Sequence, residues 1–189
     1  MNAIAWVGGI LAVLTLIHFI ADWIFQSHDE AMAKSTNSKV RAKHCAVYTA
    51  TICAVCLGGF HLPLLDVAVY ATILFSSHFL EDSYLPVYLW AKYIRRAPEF
   101  NLPEVSELDR FKAFASTTLG KILLIAIDQI IHILYLGFIA LMMRASGTPS
   151  FWVLYGITLL SIGVLAGLTV YAKTELQPHV QNDPKSSTV

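Results

Sequence analysis

The chain has 189 residues, of which 56% are hydrophobic and 14% charged, with a formal net charge of zero and a mean hydropathy of +0.60. That balance argues against an ordinary soluble domain and gives no electrostatic basis for binding nucleic acid or an acidic ligand; it fits a polytopic membrane protein. The three cysteines, Cys45, Cys53 and Cys56, fall in one apolar run, so a secreted disulfide framework is not expected, and the CxxC pair reads as small buried thiols in a bundle.

A span needs roughly 20 apolar residues. In chain order, five segments approach that length: Ala3–Phe25, His44–Phe60, Leu64–Tyr84, Ile122–Met143 and Phe151–Tyr171. The first lacks a basic n-region and is too long for the apolar part of a cleaved signal, so it reads as a retained span. The second is the shortest and carries threonines. The stretch "LPVYLWAKYIRR", Leu85–Arg96, mixes aromatics with Lys92, Arg95 and Arg96 behind Pro86; it suits a helix lying in the membrane interface, or a third span that runs on with snorkelling ends. Ser106, three residues before Asp109, reads as the N-cap of a short helix. The polar end "QPHVQNDPKSSTV" reads as disordered.

Lysine and arginine set the orientation. Lys34, Lys39, Arg41 and Lys43 join spans one and two, Lys92, Arg95, Arg96, Arg110, Lys112 and Lys121 join spans three and four, and Lys173 and Lys185 follow span five, whereas Arg144 stands alone on the other side. The expected fold is therefore all-α: a polytopic membrane bundle of about five transmembrane helices, with the N-terminus outside and the C-terminus inside. The bundle covers residues 1–172 and includes a cytoplasmic interfacial segment, 85–120; residues 173–189 are its disordered cytoplasmic tail.

The spans contain groups that lipid does not tolerate. "HFIADWIFQ" places His18, Asp22 and Gln26 at four-residue intervals, "HFLED" repeats the spacing with His78 and Asp82, "DQIIH" reverses it with Asp128 and His132 around Gln129, and His44 opens span two. The i,i+4 spacing stacks each pair on one helix face. Because span four runs against spans one and three, the reversal puts every aspartate nearer the cytoplasm and every histidine deeper, so four helices offer polar groups to one layer. Each ionisable side chain costs about 2.5–3.5 kcal/mol in hydrocarbon on insertion scales, so these groups must meet one another, water or a cation. Three readings follow: hydrogen-bonded glue for the bundle, a proton or ion relay, or a divalent metal site in which His18, Asp22, His78, Asp82, Asp128 and His132 are the ligands. In the metal reading zinc comes first, with iron or manganese as alternatives, and Gln26, His44, Gln129, Arg95 and Arg96 stand behind the ligands or face a substrate.

The run "LIHFIADWIFQ", a loop lysine, "AKHCAVY", "SHFLED" and "DQIIHIL" resembles the bacterial and phage family catalogued as domain of unknown function 3307. The resemblance covers about residues 12 to 140 and touches His18, Asp22, Gln26, Lys34, His44, His78, Asp82, Asp128, Gln129 and His132. A lysine that follows the third motif closely in the family is delayed here to Lys92. The resemblance implies a shared polar site in a bacterial inner membrane and no particular activity.

For function, the metal reading leads to a hydrolase that acts on a lipid or lipid-linked ester, amide or phosphodiester, with Asp22 or Asp82 as catalytic base and Arg95 and Arg96 near an anionic headgroup. A transporter would need a polar path through the outer half, where Thr15 and Tyr135 are the modest exceptions to an apolar lining. A non-enzymatic module binding a protein partner is the third class. Gly163 and Gly167 in span five would permit a homodimer through close helix packing.

Overall fold

The computed structural model of the protein describes residues 2–103 and 105–177. The described residues form eight α-helices, two π-helical turns and one 3-10 turn, without strands. Helix α1, Ala3–Phe19, starts where the Asn2 side chain accepts the Ala5 N–H and passes directly into a π turn at Ile20–Ile24. The short α2, His28–Ala33, is closed at its start by a capping box between Ser27 and Glu30, and α3, Ser38–Gly58, is capped by Asn37. Helix α4, Leu64–Glu81, follows Pro63.

Pro86 sits in the first turn of α5, Leu85–Leu89, behind Tyr84 in the left-handed region at φ 56°. The third apolar run thus stops at Glu81 and turns, instead of running on. A second π turn, Trp90–Ile94, and a 3-10 turn, Pro98–Asn101, extend α5. Helix α6, Glu107–Ser116, has Ser106 as its N-cap, accepting the Asp109 N–H. Helices α7, Thr118–Ala145, and α8, Pro149–Leu176, are the longest. The α6–α7 corner is tight enough that a Cβ at Gly120 would lie 1.9 Å from the Phe114 carbonyl oxygen. Of the tail expected at 173–189, Lys173–Leu176 continue α8, and residues 178–189 lie outside the described residues.

Four helical stretches are long and apolar enough to cross a membrane: Ala3–Ile24, Leu64–Glu81, Thr118–Ala145 and Pro149–Leu176. They mark the chain as a multi-pass membrane protein. The expected count was about five; α3 does not join the four because its first turns carry Lys39, Arg41 and Lys43. Its exposed face is nevertheless apolar beyond that point, with Ala46, Val47, Ala50, Ala54 and Leu57. Helices α1, α3, α4 and α7 pack around a core that includes Leu14, Ile52, Ile73, Leu136, Ile139 and Met142. Lipid is as apolar as leucine, so close packing rather than removal from water holds this core. A smaller core forms where α5 and α6 fold onto α7 and α8 around Tyr88, Phe100 and Phe114. There Lys92 lies 2.9 Å from Glu175 at the end of α8 and 3.0 Å from Glu107 at the start of α6.

The fold places the C-terminal ends of α1, α4 and α8 and the N-terminal ends of α3 and α7 together. This is the end that carries the basic connections, and the ionisable groups of the spans gather just inside it.

Candidate metal centre

Four helices and one loop build the site. Helix α1 and its π turn supply His18 and Asp22, α3 supplies His44 and Tyr48, the end of α4 supplies His78, Glu81 and Asp82, and α7 supplies Asp128, Gln129 and His132. Lys34, just after α2, reaches in from the connection to α3. All but the half-buried Gln129 are buried. Asp22 lies within the π turn and is buried, as is His18 four residues before it. Single π turns inside helices are frequent at functional sites.

Asp22, His44, His78 and Asp82 each turn one ligand atom into a common space, all within 4.8 Å of one another. Between Asp22 Oδ1, the two histidine Nε2 atoms and Asp82 Oδ2, the distances are 2.9 Å for Asp22–His44, 3.7 Å for Asp22–His78, 3.0 Å for His44–His78, 3.5 Å for His44–Asp82 and 3.2 Å for His78–Asp82. A tetrahedral ion with bonds of about 2.0–2.1 Å to nitrogen or oxygen needs donor–donor edges of about 3.3–3.4 Å. The measured edges straddle that value. Hydrogen bonding alone does not account for the arrangement, because His44 Nε2 has one proton or one lone pair and faces Asp22, His78 and Lys34 at 2.9, 3.0 and 3.5 Å. One cation at the centre would serve all four donors.

Asp82, Asp128 and His132 form a second group of potential ligands, again within 4.8 Å of one another. His132 Nδ1 donates to the Asp128 main-chain carbonyl at 2.8 Å, so in the neutral ring the lone pair is on Nε2. That nitrogen lies 3.1 Å from Glu81 Oε2, yet neither atom has a partner in hydrogen-bond geometry.

Around the donors lies a hydrogen-bonded frame. His18 Nε2 donates to Gln129 Oε1 at 2.9 Å, and His18 Nδ1 accepts from the Tyr48 hydroxyl at 3.1 Å; these tautomers follow from the network. The Gln129 amide nitrogen donates to Asp22 Oδ2 at 3.4 Å and to Asp128 Oδ2 at 3.1 Å. The Tyr48 ring stacks on His78 with centroids 3.9 Å apart. Lys34 Nζ lies 3.0 Å from Asp82 Oδ1 and 3.2 Å from Asp22 Oδ1. Burial alone would lower the pKa of this ammonium, but Asp82 and Asp22 more than offset that and hold it above its ordinary value, so it remains a fixed positive charge beside the donors.

The structure groups these residues differently from the expected arrangement. His18 was expected as a ligand, but both its ring nitrogens are engaged in the frame. His44 was expected behind the ligands and stands among the four converging donors. Asp22 and Asp82, one of which was to remain free as a base, are both in that set. Gln129, expected behind the ligands or facing a substrate, hydrogen-bonds His18, Asp22 and Asp128. Gln26 follows the π turn outside any helix, half-buried and with its Oε1 unpartnered. Arg95 and Arg96 are exposed and make no recorded contact with the cluster. Three members escaped the reading of the residues: Lys34, named only through the family resemblance, Glu81 and Tyr48. Spacing could have found the last two, because Glu81 is three residues after His78 and Tyr48 four after His44. The thiols stay apart: Cys45 and Cys56 are buried, Cys53 is half-buried, and all three are free.

A family model described as "Protein of unknown function (DUF3307)" matches residues 10–159. The chain belongs to the DUF3307 family. No curated protein and no solved structure matches it. The DUF3307 match contains every side chain of the cluster and extends beyond the resemblance read from the motifs, into the first part of α8.

Proposed function

We propose that the protein is a metal-dependent membrane hydrolase acting on an ester, amide or phosphodiester of a lipid or lipid-linked substrate in the cytoplasmic leaflet of a bacterial inner membrane. The observation that carries this reading is the convergence of one donor atom each from Asp22, His44, His78 and Asp82, all within 4.8 Å of one another. Two imidazoles and two carboxylates suit zinc first, with iron and manganese as alternatives. A divalent ion bound there would supply Lewis acidity and bring the pKa of a coordinated water toward neutrality. The base moves from Asp22 or Asp82 to Glu81, whose carboxylate oxygens are buried and unpartnered and would accept a proton from water. Lys34 would steady negative charge that develops on the substrate. Gln129, Tyr48 and His18 hold the ligands in position.

Two further features support an enzyme over a transporter and an orientation with the cluster end in the cytoplasm. Beyond the cluster the shared core is closed by Leu14, Ile73, Leu136 and Ile139, a barrier to any polar path. The basic residues lie at the cluster end, which the positive-inside rule assigns to the cytoplasm. With the apolar exposed face of α3, this gives five crossings with the N-terminus outside. A reporter fused after Val189 should then read cytoplasmic and one inserted at Ser146 external; the opposite at either position removes the leaflet assignment. Gly163 and Gly167 face open space on α8, so they are free to pack against a second copy of the chain.

The deciding experiment incubates purified protein in mixed-lipid bilayers with and without chelator and follows products by mass spectrometry. Chelator-sensitive turnover of a lipid or lipid-linked compound is expected. Metal-loaded protein that turns over none of them leaves a non-catalytic metal site as the better account.

A further inference from the structure

Four protein donors fill a tetrahedral ion, and water joins it only when the shell expands to five. A single ion among Asp22, His44, His78 and Asp82 also leaves much of the cluster unserved. Both oxygens of Glu81, Oδ1 of Asp128 and Nε2 of His132 remain buried without a hydrogen-bond partner. Four carboxylates, Asp22, Glu81, Asp82 and Asp128, share this interior with one ammonium, Lys34.

We infer that the cluster is a dinuclear centre: Asp82 bridges two metal positions, and the second ion lies among Asp82, Asp128 and His132 with Glu81 at its edge. This inference rests on the proposed metal-dependent reading and deepens it. The His132 tautomer is the one a metal ligand needs. Its Nδ1–H is committed to the Asp128 carbonyl, as is usual where the other nitrogen binds metal, and its Nε2 lone pair faces the Glu81 carboxylate at 3.1 Å. With the ring neutral, these two electron-rich atoms are stabilised by a cation between or beside them; with the ring protonated they form an ion pair, and the number of ions bound separates the two. Asp82 is placed to bridge, because it belongs to both groups of potential ligands. The two positions adjoin, since Asp82 is common to both groups and the His78 and His132 ring centroids lie 4.4 Å apart.

The two positions differ in chemistry. The first has two imidazoles and two carboxylates. The second is richer in oxygen, with carboxylates outnumbering its single imidazole, so it favours a harder ion such as Mn2+ or Fe2+. With three protein ligands it also keeps room for water, which makes it the reactive position of the pair.

The test uses Mn2+ alone as probe, on detergent-purified full-length protein, with stoichiometry from elemental analysis and coupling from electron paramagnetic resonance. Two ions per chain with an exchange-coupled spectrum are expected. Asp128→Asn should reduce binding to one ion with the spectrum of isolated Mn2+, and Asp82→Asn should abolish the coupling. One ion per chain in the unaltered protein, or two without coupling, overturns the inference. If Asp128→Asn does not fold, the stoichiometry and spectrum of the unaltered chain decide alone. One ion with lipid turnover overturns the dinuclear centre and leaves the hydrolase standing; two coupled ions without turnover uphold the centre and remove the hydrolase.

Discussion

The two ends of the bundle are built from the same four helices and solve opposite problems. At one end α1, α3, α4 and α7 turn ionisable side chains toward one another; at the other they interlock Leu14, Ile52, Ile73, Leu136 and Ile139. The apolar end has its own buried acid, Asp66, and one hydrogen bond from Ser146 Oγ, in the α7–α8 turn, provides for it. It also buries the unpartnered Tyr70 hydroxyl, a neutral group far less costly than a charge. The polar end cannot be balanced so simply, because its carboxylates outnumber the one ammonium within reach. The difference teaches that buried charge alone is not the sign of a metal site; the sign is buried charge that local hydrogen bonds leave unanswered, with donors at coordination distances.

The strongest way to break this comparison is to remove a donor. His44→Ala or His78→Ala should lower metal affinity by more than about 100-fold, since even partners behind the ligands typically contribute about 10–100-fold. Gln129→Ala and Tyr48→Phe should fall within that smaller range. Equilibrium dialysis against a metal buffer measures both. If His18→Ala proves as damaging as His44→Ala, the frame and the ligand set have been drawn wrongly.

A second substitution tests the apolar end. Leu136→Ala leaves a cavity in the packed core and should destabilise the protein by about 2 kcal/mol, near the lower part of the range for buried leucines because lipid removes much of the transfer contribution. Its metal content should not change. A loss of metal in this variant would show that the two ends are coupled. A smaller effect belongs to Ser146→Ala, which strands Asp66 and should cost about 1 kcal/mol. Both are read from thermal unfolding in detergent alongside elemental analysis.

Much of the cluster was legible because a membrane makes polar residues conspicuous. His18, Asp22, His78, Asp82, Asp128 and His132 stood out against apolar neighbours, and their spacing and the direction of each span brought them to one layer. Division of labour within the layer was not legible. Part of the reason is that the helix ends in a π turn at Ile20–Ile24, which no spacing rule announces, so Gln26 falls outside it. The division also depends on tertiary packing that seats His44 between Asp22 and His78 and commits His18 to Gln129 and Tyr48. Lys34 was obscured for another reason: in the sequence it is one of several loop lysines that set orientation, and only the fold shows it turned inward. The proposed fifth crossing, α3, is not among the four long apolar stretches because Lys39, Arg41 and Lys43 share its helix with the apolar stretch that follows.

The smallest expected effect lies outside the spans, where α5 and α6 are held to α8 and charges are partly exposed. Burial alone would raise the pKa of the Glu107 carboxyl, but Lys92 and Arg110 more than offset that and hold it below its ordinary value of 4.5. Burial would likewise lower Lys92, yet Glu175 and Glu107 hold it above its ordinary 10.5. The sign follows from proton binding. For Glu107 the folded form binds fewer protons, so its contribution is present above about pH 4.5 and lost as pH falls through the lower folded value. For Lys92 the folded form holds its proton longer, so its contribution is full below about pH 10.5 and lost as pH rises through the higher folded value. Between these limits the α5–α6 segment should stay docked. Hydrogen exchange over Glu107–Ser116, corrected for the intrinsic rate, should therefore rise modestly between pH 6 and pH 3.5. Glu107→Gln should remove most of that change and leave the metal unaffected. If that variant keeps the same acid response, the ion pair is screened by solvent, as many exposed pairs are, and the packing of Tyr88, Phe100 and Phe114 alone holds the segment in place.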